Sequence, residues 1–146
     1  MEISYFEMNE GDIPGAVELE RENFSQPWSE AGMAHYMESG STIFVCAKHE
    51  DKLVGYGAVL RVLDEADLVS LVVDEPYRNM GIAAEILDIL YDLARKKGVS
   101  KLHLEVRKSN ESAIWLYEKE GFRKVGERRG FYERPKEDAL LYTKEL

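Results

Sequence analysis

Residues 77–87 read YRNMGIAAEIL. The stretch follows an apolar run, DLVSLVV at 67–73, breaks into polar and basic residues at Arg78 and Asn79, and opens a helical pattern straight after Gly81. A strand, a glycine-bearing turn and a helix leave unsatisfied N–H groups in the first helical turn. Those donors, aligned with the helix dipole, suit a phosphate or pyrophosphate. Gly81 and Ala83 keep side chains out of an anion's approach, and Arg78 supplies charge. The same connection also arises where a glycine serves turn geometry alone. Neither GxxxxGK followed by Ser or Thr nor GxGxxG is present, which argues against nucleotide hydrolysis and hydride transfer.

Downstream, Ile82, Ile86, Ile89, Leu90 and Leu93 fall at helical spacing, and Gly98 stops the helix behind Arg95, Lys96 and Lys97. KLHLEVR (101–107) reads as a strand. Asn110 caps a further helix to Glu120, ended by Gly121, and strands at roughly 122–132 and 138–145 close the chain. Upstream, 3–8 reads as a strand. A helix follows from Asp12 to Phe24, with Asp12 as N-cap and Pro14 in its first turn. After FSQPWSE, Ser29 caps a short helix to about Glu38. TIFVCAKH and LVGYGAVLRVL then form a hairpin about the charged turn EDK. The order β-α-α-β-β-β-α-β-α-β-β predicts a mixed α/β sandwich, antiparallel early, with a parallel step across the long helix.

The 146 residues suffice for one domain, expected to span 1–146, with 45% apolar and 32% charged residues, as in soluble globular proteins. No run approaches a membrane span, and the acidic start MEISYFEMNEGDI does not resemble a secretory signal. The single cysteine, Cys46, reads as a small buried hydrophobe. The three histidines lack ligand spacing, so no metal site is expected. The net charge of −9 disfavours general nucleic-acid binding. A cytoplasmic protein is the default expectation.

A second constellation lies in LEVRKSNESAIWLYEKEGF, residues 104–122. Asn110, Ala113, Ile114 and Tyr117 share one helix face. Glu105 stands among Leu104 and Val106, where a carboxylate implies a solvated cleft or the polar side of an alternating strand. Taken singly, Asn110 is an ordinary N-cap and Tyr117 an ordinary core aromatic.

Together the two stretches resemble the GNAT superfamily of acetyl-CoA-dependent N-acetyltransferases. Its pyrophosphate turn, Arg/Gln-x-x-Gly-x-Gly/Ala, is matched by Arg78, Asn79, Met80, Gly81, Ile82 and Ala83, with Ala83 where glycine is commoner. Its later segment is matched by Asn110, Ala113, Tyr117, Gly121 and Phe122. Within the superfamily, FSQPWSE and RRGFYERPKEDALLY are similar to the RimI type, which acetylates protein N-terminal amines. Phe131-Tyr132-Glu133 departs from the frequent Tyr-Tyr-Pro.

The resemblance implies a GNAT fold: a largely antiparallel, twisted sheet of about seven strands flanked by four helices, with a V-shaped splay between the strands at 67–73 and 101–107. It implies acetyl transfer from acetyl-CoA to an N-terminal α-amine, most simply an N-terminal alanine of a small-subunit ribosomal protein. Glu105 is implied as the base and Tyr117 as the acid beside the sulfur. Residues Arg78 to Ala84 (with Ala84 beside the matched motif) would receive the pyrophosphate, Leu71, Val72 and Val73 the pantetheine arm and thioester carbonyl, and Asn110 the same arm from its cap. Trp28 and Tyr132 are candidate walls of a peptide groove, although Trp28 serves equally as a plug beneath the early helices. The expected partner is the N-terminus of a protein, a ribosomal protein by this resemblance, with no direct nucleic acid or membrane, and the chain itself is expected to be a monomer or weak dimer. Two other functions stay open: acetylation of a lysine side chain or small amine, and a non-catalytic acyl-CoA-binding subunit.

Overall fold

The computed structural model describes residues 2–146. In chain order the elements are β1 (Ser4–Glu7), α1 (Ile13–Asn23), α2 (Glu30–Ser39), β2 (Thr42–His49), β3 (Lys52–Val62), β4 (Glu65–Val73), α3 (Ile82–Lys96), β5 (Lys101–Arg107), α4 (Glu111–Lys119), β6 (Arg123–Tyr132) and β7 (Glu137–Glu145). The expected order holds, with short 3₁₀ turns at Glu10–Asp12 and Glu75–Tyr77. The seven strands form one sheet in the order β1-β2-β3-β4-β5-β7-β6, antiparallel except for β4 beside β5.

That parallel pairing is brief. Glu65 lies opposite Lys101, Ala66 opposite Leu102 and Asp67 opposite His103, and there the ladder stops. From Leu68 onward β4 stays with β3, while β5 from Leu104 pairs only with β7. The expected V-shaped splay is this gap, and the fold is the mixed α/β fold that the resemblance implied. Asp74 N–H bonds Val54 O at 2.8 Å, so alternation turns Val72 towards β3 as well. Leu71 and Val73 therefore aim their N–H groups into the gap.

Each face of the sheet carries a separate core. On one face α3 lays Ile82, Ile86, Leu87, Leu90 and Ala94 over Val45, Val54, Leu102 and Leu104. Each fully buried Ile or Leu stabilises by about 1.5–3 kcal/mol. The helix sits so close to β3 that a Cβ on Gly57 would lie 2.9 Å from both Ile86 and Leu90. On the other face α1 and α2 pack Ala16, Val17, Leu19 and Met33 against Phe44, Cys46, Tyr56 and Val72. Cys46 is buried there as expected, and burial pushes its thiol up to about 11.

The start of α1 differs from the sequence reading. Asp12 stands at the N-cap position of α1, as read, but its side chain makes no cap bond to that helix; Asn9 caps the preceding 3₁₀ turn by accepting from Gly11 N–H, and the Asp12 carboxylate closes that capping box. The buried Asp12 carboxylate accepts from Asn9 N–H at 2.9 Å and pairs with Lys48 Nζ at 2.5 Å. A cap competes poorly with a cation supplied by the adjacent strand.

Candidate active site

The turn at Arg78–Gly81 is shaped by backbone conformation. Asn79 at φ 63° and Gly81 at φ 81° both lie in the left-handed region. The first α3 hydrogen bond is Glu85 N–H to Gly81 O at 3.1 Å. The N–H groups from Asn79 through Ala84 make no hydrogen bond within the described residues, a run of donors at the positive end of a 15-residue helix. A Cβ on Gly81 would meet nothing within 4 Å, so the space above the turn is open. Met80 stands exposed beside it. The Arg78 side chain turns back into the protein: Nε donates to Val73 O at 3.0 Å and Nη2 to Asn23 Oδ1 at 2.6 Å. Arg78 thus fastens the turn to the end of β4 and to α1.

Asn110 caps α4, its Oδ1 accepting from Ala113 N–H at 3.2 Å. Seven residues on, Tyr117 packs in the α3 core with its ring edge-on to Phe122 at 5.6 Å. Its hydroxyl makes no hydrogen bond within the described residues, yet it is not among the sealed unpaired polar atoms. The phenol oxygen is therefore not wholly sealed. Burial above all, with the nearby Tyr132 adding, raises the Tyr117 pKa and keeps its proton in place.

Glu105 occupies the opposite face of β5 from Leu104 and Val106, both buried in the α3 core. It lines a cavity of about 480 Å³ shared with Asp67, Val69, His103, Arg128 and Tyr132. Three features build this cavity. A bulge leaves Val69 unpaired between Leu68↔Val59 and Ser70↔Ala58, which turns Val69 outward. The splay opens the wall between β4 and β5. The α1/α2 layer covers β2, β3 and β4 but leaves the β5–β7–β6 part of this face bare. Arg128 Nη1 stands 3.7 Å from Glu105 Oε1. His103 bridges Thr143 Oγ1 at 2.7 Å and Glu65 Oε1 at 2.5 Å. Its hydrogen bond holds the Glu65 carboxyl below the usual range. The Tyr132 phenol is pushed up to about 12 by burial, with Glu105 contributing.

The structure thus gathers the candidates into two groups on either side of the gap. Arg78 to Ala84, Leu71, Val73, Asn110 and Tyr117 belong with α3 and α4, while Glu105 and Tyr132 share the cavity on the other face. Val72, turned towards β3, is buried in the second core. Trp28 does not line the cavity. It stacks on Tyr36 at 5.4 Å and meets Phe44 edge-on at 5.8 Å, plugging the base of the early helices. Glu137 and Asp138 are engaged internally, Glu137 with Arg107 and Ser109 N–H, Asp138 with Gly130 N–H.

Several participants escaped the sequence reading. Arg128 and His103 reach the cavity only through the β5–β7–β6 register, which no local spacing reveals. Glu20 of α1 is buried and accepts from Tyr56 OH, from Ser70 Oγ at 2.8 Å and from Trp28 N–H at 3.1 Å. It anchors α1 to β4 just past the bulge. The hint was a carboxylate on the apolar face of a helix.

A parallel pair of strands that part in mid-sheet, with a helix N-terminus at one side of the opening and a carboxylate cavity at the other, defines an acyltransferase-type architecture. The pattern of the acetyltransferase (GNAT) family matches residues 13–122, and the chain belongs to that family. It is 36% identical over 132 residues to the [ribosomal protein bS18]-alanine N-acetyltransferase of Escherichia coli (strain K12), covering 89% of this chain and 88% of that one. A protein of Bacillus subtilis, named putative [ribosomal protein bS18]-alanine N-acetyltransferase, is 29% identical over 131 residues. The crystal structure of the ribosomal-protein-S18-alanine N-acetyltransferase from Escherichia coli superposes with a TM-score of 0.89 at 32% identity, covering 99% of this chain and 94% of that one. Ard1 from Thermoplasma volcanium shares the fold, with a TM-score of 0.91 at 21% identity.

Proposed function

We propose that this protein transfers an acetyl group from acetyl-CoA to the α-amine at the N-terminus of another protein, and that its acceptor is an N-terminal alanine of a small-subunit ribosomal protein. The observation that carries the reading is the β4–β5 gap, with unpaired N–H donors on one side and the Glu105 cavity on the other. The 36% identity to an enzyme named for ribosomal-protein alanine acetylation supports the choice of acceptor.

The residues present fit the cofactor: an open turn, a run of free N–H groups and two strand N–H groups aimed into the gap. Bound acetyl-CoA supplies the activated acetyl group. The N–H groups of Asn79 to Ala84 would hold its pyrophosphate, those of Leu71 and Val73 its pantetheine arm and carbonyl, and Asn110 the arm from the α4 cap. The acceptor amine enters from the cavity. An α-amine has an ordinary pKa of about 7.7–8.0, so Glu105 can take its proton directly or through one water. Tyr117, kept protonated by burial, holds a transferable proton at its phenol oxygen. Tyr132 walls the acceptor site, and Trp28 supports the α1–α2 loop beside it. This chemistry needs no metal. The same reading puts the protein in the cytoplasm as a monomer or weak dimer, without nucleic-acid or membrane binding. Among the described residues, no helix is long and apolar enough to cross a membrane.

The test is a turnover screen with acetyl-CoA over three acceptor sets: peptides with free N-termini, N-terminally blocked peptides carrying lysine, and small amines. Preference for a free N-terminal alanine is expected. Blocked lysine peptides working best would remove this reading, and CoA binding without turnover on any amine would favour a non-catalytic subunit.

A further inference from the structure

Arg107 ends β5 on the same strand face as Glu105 and gathers two segments that are far apart in the chain. Its Nη1 donates to Pro135 O at 2.9 Å and to Glu137 Oε1 at 3.3 Å. Its Nη2 donates to Glu133 O at 3.0 Å and to Ser25 Oγ at 3.3 Å. The guanidinium carbon also stands 4.4 Å from the centre of the Tyr132 ring. Ser25 lies in the α1–α2 loop, and 133–136 form the β6–β7 connection between Tyr132, which lines the cavity, and Glu137 at the start of β7. Among the described residues, one direct hydrogen bond joins them, Ser25 Oγ to Glu133 O at 3.4 Å. Every other hydrogen-bonded link between them passes through Arg107.

The arrangement exceeds a surface ion pair. Side-chain exposures of 24% for Arg107 and 18% for Glu137 shield the contact from much of the solvent. Glu137 is itself fixed by Ser109 N–H at 2.6 Å, and hydrogen bonding from Ser109 holds its carboxyl below the usual range. Only a planar fork of donors meets four acceptors from two segments at once.

We propose that Arg107 is a positioning residue for the acceptor, tying the α1–α2 loop to the β6–β7 connection and seating Tyr132 over the Glu105 cavity. The inference rests on the acceptor site proposed above. Its effect should fall on one side of the gap, because none of its side-chain hydrogen bonds reaches residues 78–84 or the Asn110 side chain. Loss of Arg107 therefore weakens the acceptor and spares CoA. Lysine keeps the charge without the fork, so it restores the function only in part.

The experiment compares wild type, Arg107→Ala, Arg107→Lys and Ser25→Ala. It measures KM and kcat for an N-terminal alanine peptide, CoA affinity by calorimetry, and hydrogen exchange of residues 24–28 and 130–138. Arg107→Ala should lower peptide kcat/KM by roughly tenfold or more, mainly through KM, with CoA affinity within about twofold. Exchange should rise in both segments together, with Arg107→Lys intermediate and Ser25→Ala shifting the same way by less. Should Arg107→Ala not yield folded protein, Arg107→Lys and Ser25→Ala decide by the same readouts. Unchanged peptide KM and exchange would overturn the proposal, as would a parallel loss of peptide and CoA binding. A wild type without turnover on any N-terminal peptide would overturn the function proposed above, and the exchange comparison would still decide whether Arg107 holds the two segments.

Discussion

On the α3 side of the β4–β5 gap, the groups offered to a ligand are main-chain N–H donors from Asn79 to Ala84, set by two left-handed residues and the start of a helix. On the other side they are side chains, Glu105, Arg128, His103 and Tyr132, brought together from β5 and β6. A backbone site depends on conformation and tolerates most changes of side chain except at Gly81. A side-chain site depends on three strands keeping their register and on the loops that border them. The first suits a cofactor common to a whole family, and under the proposed function the second would govern acceptor choice.

The largest contrast is expected from Glu105→Gln, which keeps size and hydrogen bonding but removes the proposed base. Turnover near neutral pH should fall about 10²-fold or more, with CoA affinity unchanged. The deficit should shrink as pH rises past the amine's own pKa of about 7.7–8.0, because the acceptor then arrives deprotonated. A mutant pH–rate profile parallel to wild type would remove Glu105 as the essential base.

Tyr117→Phe should also leave CoA binding nearly intact and lower turnover, here by about 10²-fold. Since Tyr117 is buried against Phe122, its melting temperature must be read alongside. Normal activity per folded molecule with reduced stability would make it a core residue only.

Gly81→Val attacks the backbone side alone. Nothing in the protein crowds a new side chain there, but φ of 81° strains any β-branched residue, and the branch would enter the open space above the turn. Loss of one charge-assisted hydrogen bond, about 1.5–3 kcal/mol, weakens CoA roughly tenfold to a hundredfold by calorimetry. A stability loss of about 1–3 kcal/mol from strain should accompany it. Unchanged CoA affinity would make the turn purely structural.

The smallest effect tests the scaffold beneath both sides. Burial works against ionisation of Asp12, but Asn9 N–H and Lys48 outweigh it and hold the carboxyl below its ordinary 3.8. A depressed folded pKa gives stability that is complete above 3.8 and is lost as pH falls through the folded value. Asp12→Asn should cost about 1–3 kcal/mol at neutral pH and flatten the acid limb of a melting-temperature curve. An acid limb identical to wild type would show that Asp12 carries none of it.

The same contrast explains what could be read without coordinates. Element order, the Ser29 and Asn110 caps and the stop at Gly98 are local patterns, and each is found where spacing puts it. The Arg78–Ala84 turn is likewise contiguous in sequence. The splay was available only through family resemblance, because it arises where a parallel ladder ends after three residue pairs. Arg128 facing Glu105 and Arg107 binding Ser25 depend on register and loop paths between residues up to 82 positions apart. Asp12 was read as a cap because the competing Lys48 sits on a strand that only the fold brings alongside. Strand β4 begins at Glu65, two residues before the apolar run, since its polar start pairs with Val62 and Lys101.

The most direct test of acetyl transfer to a protein N-terminus uses one peptide carrying both a free N-terminal alanine and an internal lysine. Incubation with acetyl-CoA and this protein, followed by mass-spectrometric mapping of the acetyl group, forces the two amines to compete. Acetyl on the α-nitrogen, abolished when the N-terminus is blocked, is the expected result. Acetyl on the lysine side chain, persisting when the N-terminus is blocked, would contradict it.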